Sequence, residues 1–527
     1  MKRRELLNKI AMLTSGSVLL TSTPAEAEIK PKGKTNSDND VTHSTSRYVY
    51  YASRTGAKLD SNVHTGGGTD DTAILQSILD KAPEQGHLHF IVDGASLITG
   101  LKIHSNTTLE CLNPSCGFFL AAQSNCPVIK NANPGMKGER KDKDISLIGG
   151  TYNHNCKEQI HHYTDENQVS LVFGKEVLVV AMQFCGVENF TMRDVTIRNQ
   201  RTWALLMANW YRVNIENVSI DLPDHMIGQN QDGLHFWGPG QFLSMKNIQG
   251  QTGDDFINLG PDEIDHVSGI TDVIIDGVFL NNCDNGIRLL SADQGRLDRV
   301  IIKNVTGTYR SFGFYIHPWF SGKNGNIGNI IFDTIDLRQT KNIYDYTTPF
   351  LFRLGGKIES LTLRNIYHHQ PADNRPILDI GWPRPDDSPR PRERYETIVN
   401  SLLIDGLHIF ESDDKSADAA YINVLGRVDN MVVRNVEIIR DNEVPQKGCL
   451  IQTTIFADIK KLFLSNISVN RMNSLISHKN GKIGAVQICN VMASEIGDAL
   501  IVTEKESLQQ LNADAVYGAK LINSKNN

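Results

Sequence analysis

The chain has 527 residues, with 53 Lys+Arg against 60 Asp+Glu and a net charge of -7, so it lacks the basic excess of a nucleic-acid binder. Its 8 cysteines are too sparse for a disulfide scaffold and lack the paired spacing of a zinc site. Length alone does not count domains, because a solenoid grows by repetition without splitting into globules.

Residues 1–27 combine a basic start, an apolar run from Ile10 to Leu20 and a small-residue exit at Ala25-Glu26-Ala27, the pattern of an export signal. Arg3-Arg4 followed by Glu5-Leu6-Leu7 also resembles a twin-arginine signal, which leaves the export route open between the two and the destination periplasmic or extracellular. The apolar run falls short of the roughly 20 residues that span hydrocarbon, and no second span follows. Residues 28–46 are rich in Lys, Ser, Asn and Asp and predict a flexible tether.

Residues 47–120 are expected to form an N-terminal cap and first coils, 121–505 a parallel β-helix and 506–527 a C-terminal tail. Within the cap, Thr69 to Asp71 precede Ile74, Leu75, Ile78 and Leu79, the signature of a helix with an acidic N-cap that closes one end of a rod. Cys111 and Cys116 are close enough in sequence to pair.

A recurring line then dominates: "FTMRDVTI" from Phe190, "VNIENVSI" from Val213, "LSMKNIQG" from Leu243, "VIIDGVFL" from Val273 and "VIIKNVTG" from Val300, with further copies to "VQICNVMA". Asn217, Asn247, Gly277 and Asn304 mark steps of 30, 30 and 27 residues. Alternating β-branched residues closed by a turn residue are strands with one buried face, and repeats without an amphipathic helix predict an all-β parallel β-helix. Roughly eleven coils at about 4.8 Å each give a rod on the order of 50 Å long. Asn217, Asn304 and Asn466 precede x-Ser or x-Thr, but their place at the turn predicts a stacked amide ladder rather than glycosylation.

The line "DGLHFWGP" from Asp232 is spelled again 22 residues later as "DDFINLGP" from Asp254. Stacking at that step sets Asp232 under Asp254 and Gly233 under Asp255, at a strand's exposed entrance. Three carboxylates in one patch resist simultaneous ionisation, so a protonated acid stands beside a base. That pairing is what glycoside hydrolysis with inversion requires. A turn-capping role is the alternative for each aspartate.

Further on, "NGIRLL" from Asn285 aligns with "FGFYIHPW" from Phe312 at a step of 27, which puts Tyr315 over Arg288 and His317 over Leu290. His235 shares the column of Arg288, and Trp237 that of Leu290. His235, Arg288, Tyr315, His317 and Trp319 are the candidate sugar-binding wall, with an ordinary structural role as the competing reading of each and an ion pair to Asp284 or Asp293 as that of Arg288. The stretch "GWPRPDDSPRPRERYE" from Gly381 interrupts the repeat with prolines and arginines, as a surface loop or lid would.

The motifs "NQDG" at Asn230–Gly233, "GDD" at Gly253–Asp255 and "NGIRLL" resemble glycoside hydrolase family 28, the polygalacturonase-like enzymes. The stretch "TGAKLD…GGTDDTAILQ" looks like the opening of the wider pectate-lyase-like superfamily. The resemblance implies a right-handed parallel β-helix acting on pectic polysaccharide, with Asp254 as general acid, Asp232 and Asp255 holding the attacking water, and Asn230 and Arg288 at the substrate. The family's Gly-His-Gly coil is missing, and Leu290 stands where it has lysine. The expected partner is thus a polysaccharide or oligosaccharide, with no cofactor and no metal. A polysaccharide lyase with Arg288 as base, or a carbohydrate-binding rod without catalysis, are the other readings.

Overall fold

The computed structural model describes residues 47–524, apart from 83–85, 162–177, 229, 319–323, 344–348, 370–376, 382–395, 412–419, 442–445, 498 and 504–507. The expected leader and tether, Trp319 and nearly all of the Pro/Arg-rich insertion lie outside the described residues.

Every strand pairing within the described residues is parallel, and each strand pairs with the equivalent stretch one coil before and after it. The chain is a right-handed parallel β-helix. Its longest ladder runs from Arg47–Tyr51 through His87–Val92 and onward to Leu508–Tyr517, in 16 rungs. At the inter-strand spacing of about 4.8 Å this ladder is roughly 70 Å long. It exceeds the eleven coils expected, because the coils before Phe190 and the last one carry no complete copy of the marker line. Within the stretch expected as a tail, Leu508–Tyr517 instead pairs with Lys482–Ser494, and Ile522–Ser524 extends a second ladder.

Alternation explains the core. In the second ladder Leu205, Leu234, Ile257, Ile287, Phe314, Phe352, Leu378, Ile422, Ile451, Ile476 and Ile501 stack in one inward column, all buried. Each buried side chain contributes about 1.5–3 kcal/mol of apolar transfer energy. The residue after each points to the opposite face, which creates the outward column Leu206, His235, Asn258, Arg288, Tyr315, Arg353, Asp379.

The amide ladder is present. Asn217, Asn247, Asn304, Asn365, Asn435, Asn466 and Asn490 all hold φ between 50° and 56°. Asn247 Nδ2 donates to Asn217 Oδ1 at 3.1 Å, Asn466 to Asn435 at 3.1 Å and Asn490 to Asn466 at 2.7 Å. Gly277, with φ 81°, occupies the same corner without an amide.

At the N-terminal end the helix Thr72–Leu79 buries Leu75, Ile78 and Leu79 in the core. The cap differs from expectation. Asp71 turns away and accepts the backbone N–H groups of Lys58 and Leu59 at 2.7 and 2.9 Å, whereas Asp70 accepts that of Thr72 at 2.9 Å. Cys111 and Cys116 are both buried free thiols rather than a pair. Among the described residues no helix is long and apolar enough to cross a membrane.

Candidate functional site

The register at the doubled line differs by one residue from the expected stacking. Leu234 pairs with Ile257, His235 with Asn258 and Trp237 with Gly260, a step of 23. Asp232 therefore lies beneath Asp255, and Gly233 donates its N–H to the Asp255 carbonyl at 2.9 Å. The step of 27 from Arg288 to Tyr315 and from Leu290 to His317 is as expected. Asn258 pairs directly with Arg288, so no coil intervenes between the double aspartate and the arginine.

The carboxylates gather at a corner where the chain bends between two faces. Gly233 belongs there because a Cβ would stand 2.3 Å from the Phe256 carbonyl oxygen, and Gly286 because a Cβ would stand 2.4 Å from that of Gly313. With the bend, residues three apart face the same way: His235 Nδ1 meets Asp232 Oδ2 at 2.7 Å, and Asn258 Nδ2 donates to Asp255 Oδ2 at 2.9 Å.

Asn285, on the next coil, donates its amide to Asp254 Oδ1 at 3.2 Å and to Asp255 Oδ1 at 3.0 Å. The three aspartates thus share one patch. It is not an exposed entrance: Asp232 and Asp255 are 4% and 1% exposed, while Asp254, Arg288 and Glu263 remain half-buried and form its open side.

Burial, together with the charges of Asp255, Asp232 and Asp284, holds the Asp254 carboxyl well above the usual carboxylate range. Burial likewise raises Asp232 to about 6, against the opposing hydrogen bond from His235 and with the Asp255 charge adding to the rise. Asp255 is compensated differently. Arg288 Nη1 donates to its Oδ2 at 3.1 Å alongside the two asparagine amides. Burial would lower Arg288, but the charges of Asp255, Glu263 and Asp254 outweigh it and raise the guanidinium further.

The expected wall is only partly a surface. His317 is fully buried, stacks on Tyr315 with centroids 3.6 Å apart and accepts from Arg288 Nε at 3.0 Å. Burial and the cations Arg288 and Arg353 push this imidazole well below its ordinary value, so it is neutral and orients Arg288. Tyr315 is 5% exposed and packs with Phe312 and Phe350. These two residues back the site rather than face a ligand, because the rings close on one another. Asn230 is exposed in a left-handed turn with φ 56°. Arg288 pairs with Asp255, whereas Asp284 accepts the Ser311 hydroxyl at 2.8 Å and lies 3.7 Å from Arg310 Nε.

Four contributors were not foreseen. Asn258 emerges from the corrected register, in one column with His235 and Arg288. Asn285 opens the motif "NGIRLL", where no local signal sets it apart from a turn residue. Trp203 stacks on His235 with centroids 3.7 Å apart and planes 10° from parallel. Glu263 accepts from both His235 Nε2 at 2.9 Å and Trp237 Nε1 at 3.0 Å. Burial would depress His235, but the charges and hydrogen bonds of Glu263 and Asp232 raise it to about 9. The ring is therefore an imidazolium between two carboxylates. Glu263 in turn lies below its ordinary value: His235, Arg288 and the Trp237 hydrogen bond overcome burial.

No protein-family model matches the chain, and no curated protein matches it. Among solved structures it is similar to a family 28 exopolygalacturonase of Yersinia enterocolitica at 13% identity and TM-score 0.48, over 90% of this chain and 80% of that one. It is similar to an exopolygalacturonase of Thermotoga maritima at 12% identity and TM-score 0.40, over 90% of this chain and 91% of that one. It is also similar to PfbA, a surface adhesin of Streptococcus pneumoniae, at 13% identity and TM-score 0.39, over 88% of this chain and 91% of that one. The architecture of this chain rests on its own strand pairings, and its chemistry on its own residues.

Proposed function

We propose that the chain is an exported glycoside hydrolase that cleaves glycosidic bonds in a pectin-like or other uronate- or rhamnose-containing polysaccharide with inversion. The observation that carries this reading is the sharing of one asparagine amide by Asp254 and Asp255, with Asp232 one rung below. In it, Asp254 keeps its proton and gives it to the leaving glycosidic oxygen. Asp232, aided by Asp255, draws a proton from water attacking the opposite face of the sugar. Arg288, oriented by His317, holds Asp255 in place and offers its exposed edge to a substrate oxygen.

The lyase reading needs a base that gives up its own proton at working pH. Arg288 does the reverse, since Asp255 stabilises its charged form. Replacing Asp254 or Asp232 with Asn tests the hydrolase reading by release of new reducing ends from a pectic and acidic glycan panel. Each change is expected to cost about 10²–10⁴-fold while the thermal melt stays cooperative. Undiminished release from either variant refutes the assignment.

A further inference from the structure

Glu263 lies outside the repeat, in the turn after Gly260-Pro261, yet it reaches back into the carboxylate patch. Two features put it there. Gly260 occupies the outward column between Trp237 and Leu290, and a Cβ at Gly260 would stand 2.7 Å from Glu263 Oε2. The missing side chain is the space that the carboxylate fills. Beside it, Asp262 anchors the turn by accepting the backbone N–H groups of Ala292, Asp293 and Gly295 at 2.6, 2.7 and 3.0 Å. The turn is thereby fastened to the following coil.

Both protein hydrogen bonds to Glu263 fall on Oε2, from His235 and Trp237, and a quarter of its side chain is exposed. Its other oxygen accepts no hydrogen bond from the described residues. Among the described residues, His235 bridges Asp232 and Glu263, and Arg288 pairs with Asp255. Arg353 lies over the rings of Phe350 and Phe312, 4.2 and 4.8 Å from their centroids. An additional carboxylate next to Glu263 would meet the like charges of Glu263 and Asp232, whereas a sugar hydroxyl would find an acceptor held in place.

We propose that Glu263 determines specificity at this site, accepting a hydroxyl of the sugar bound beside Asp232 and disfavouring a carboxylate there, so that the sugar in that position is neutral. This rests on the glycan-binding part of the function proposed above, but not on turnover. It separates two substrates that the aspartates alone leave equivalent, a uronate and a neutral sugar such as rhamnose.

The test is calorimetric titration of the full chain at pH 7 with two matched pectic oligosaccharides, one with free galacturonate carboxyls and one fully methyl-esterified. Wild type is expected to bind the ester at least about tenfold more tightly, and Glu263→Gln to narrow that ratio to within about threefold. Gly260→Ala, which displaces the carboxylate without removing it, should narrow the ratio in the same direction. Tighter binding of the free acid by wild type, an unchanged ratio in Glu263→Gln, or no binding of either oligosaccharide overturns the proposal. Selective binding without bond cleavage would defeat the hydrolase reading and leave this one standing.

Discussion

At the scale of single residues, the patch divides four carboxylates by what compensates each. Asp255 has a guanidinium and two amides, Glu263 has an imidazolium and an indole N–H, Asp232 has the other side of that imidazolium, and Asp254 has one amide. The least compensated group is the one that retains a proton. A pH profile follows from this ordering. The base form of Asp232 accumulates as pH rises through about 6, and the acid form of Asp254 persists to higher pH before it too is lost. Hydrolysis should therefore rise through pH 6 and fall again on the alkaline side, as measured by initial rates across pH. An acidic limb centred near the ordinary aspartate value would contradict the burial of Asp232. His235 adds a stability term of defined sign. Its folded value lies above the ordinary 6.5, so its contribution is complete below that value and disappears as pH rises through about 9. Removing Glu263 should flatten that alkaline loss in thermal melts.

At the scale of elements, corners carry more information than strands. Each amide corner needs a left-handed residue and profits from a ladder hydrogen bond. Asn466 both donates to Asn435 and accepts from Asn490. Asn466→Ala should cost about 1–3 kcal/mol, since it loses two hydrogen bonds and strains φ, whereas Asn466→Gly should cost less, as the chain itself uses Gly277 at this corner. Equal losses in chemical denaturation would remove the backbone part of that account. The repeat was legible in the sequence because alternation and the corner asparagines are local signals. The register at the aspartates was not. Matching Gly238-Pro239 to Gly260-Pro261 suggests a step of 22, but Trp237, not Gly238, pairs with Gly260. That single residue hid Asn258, which shares the His235 column only at a step of 23. Glu263 was hidden for a different reason. It sits in a turn with no periodic signal, and only the absence of a side chain at Gly260 lets it approach.

At the scale of the whole molecule, a solenoid is stabilised by contacts between adjacent coils, so each terminal rung protects the one inside it. The strand Leu508–Tyr517 covers Ile483, Val486 and Ile488 of the preceding rung. Deleting residues 506–527 should lower the melting temperature by several degrees, whereas a dispensable tail would leave it unchanged. The same stacking brings Asp232, Asp254 and Arg288 together from three successive coils, and the proposed chemistry depends on that convergence. It is tested most directly by proton NMR of the first product released from a pectic oligosaccharide panel, with Asp254→Asn in parallel. The account predicts a new reducing end of inverted anomeric configuration from the unaltered chain and none from the variant. A retained anomer, an unsaturated product, or equal release from both proteins would contradict it.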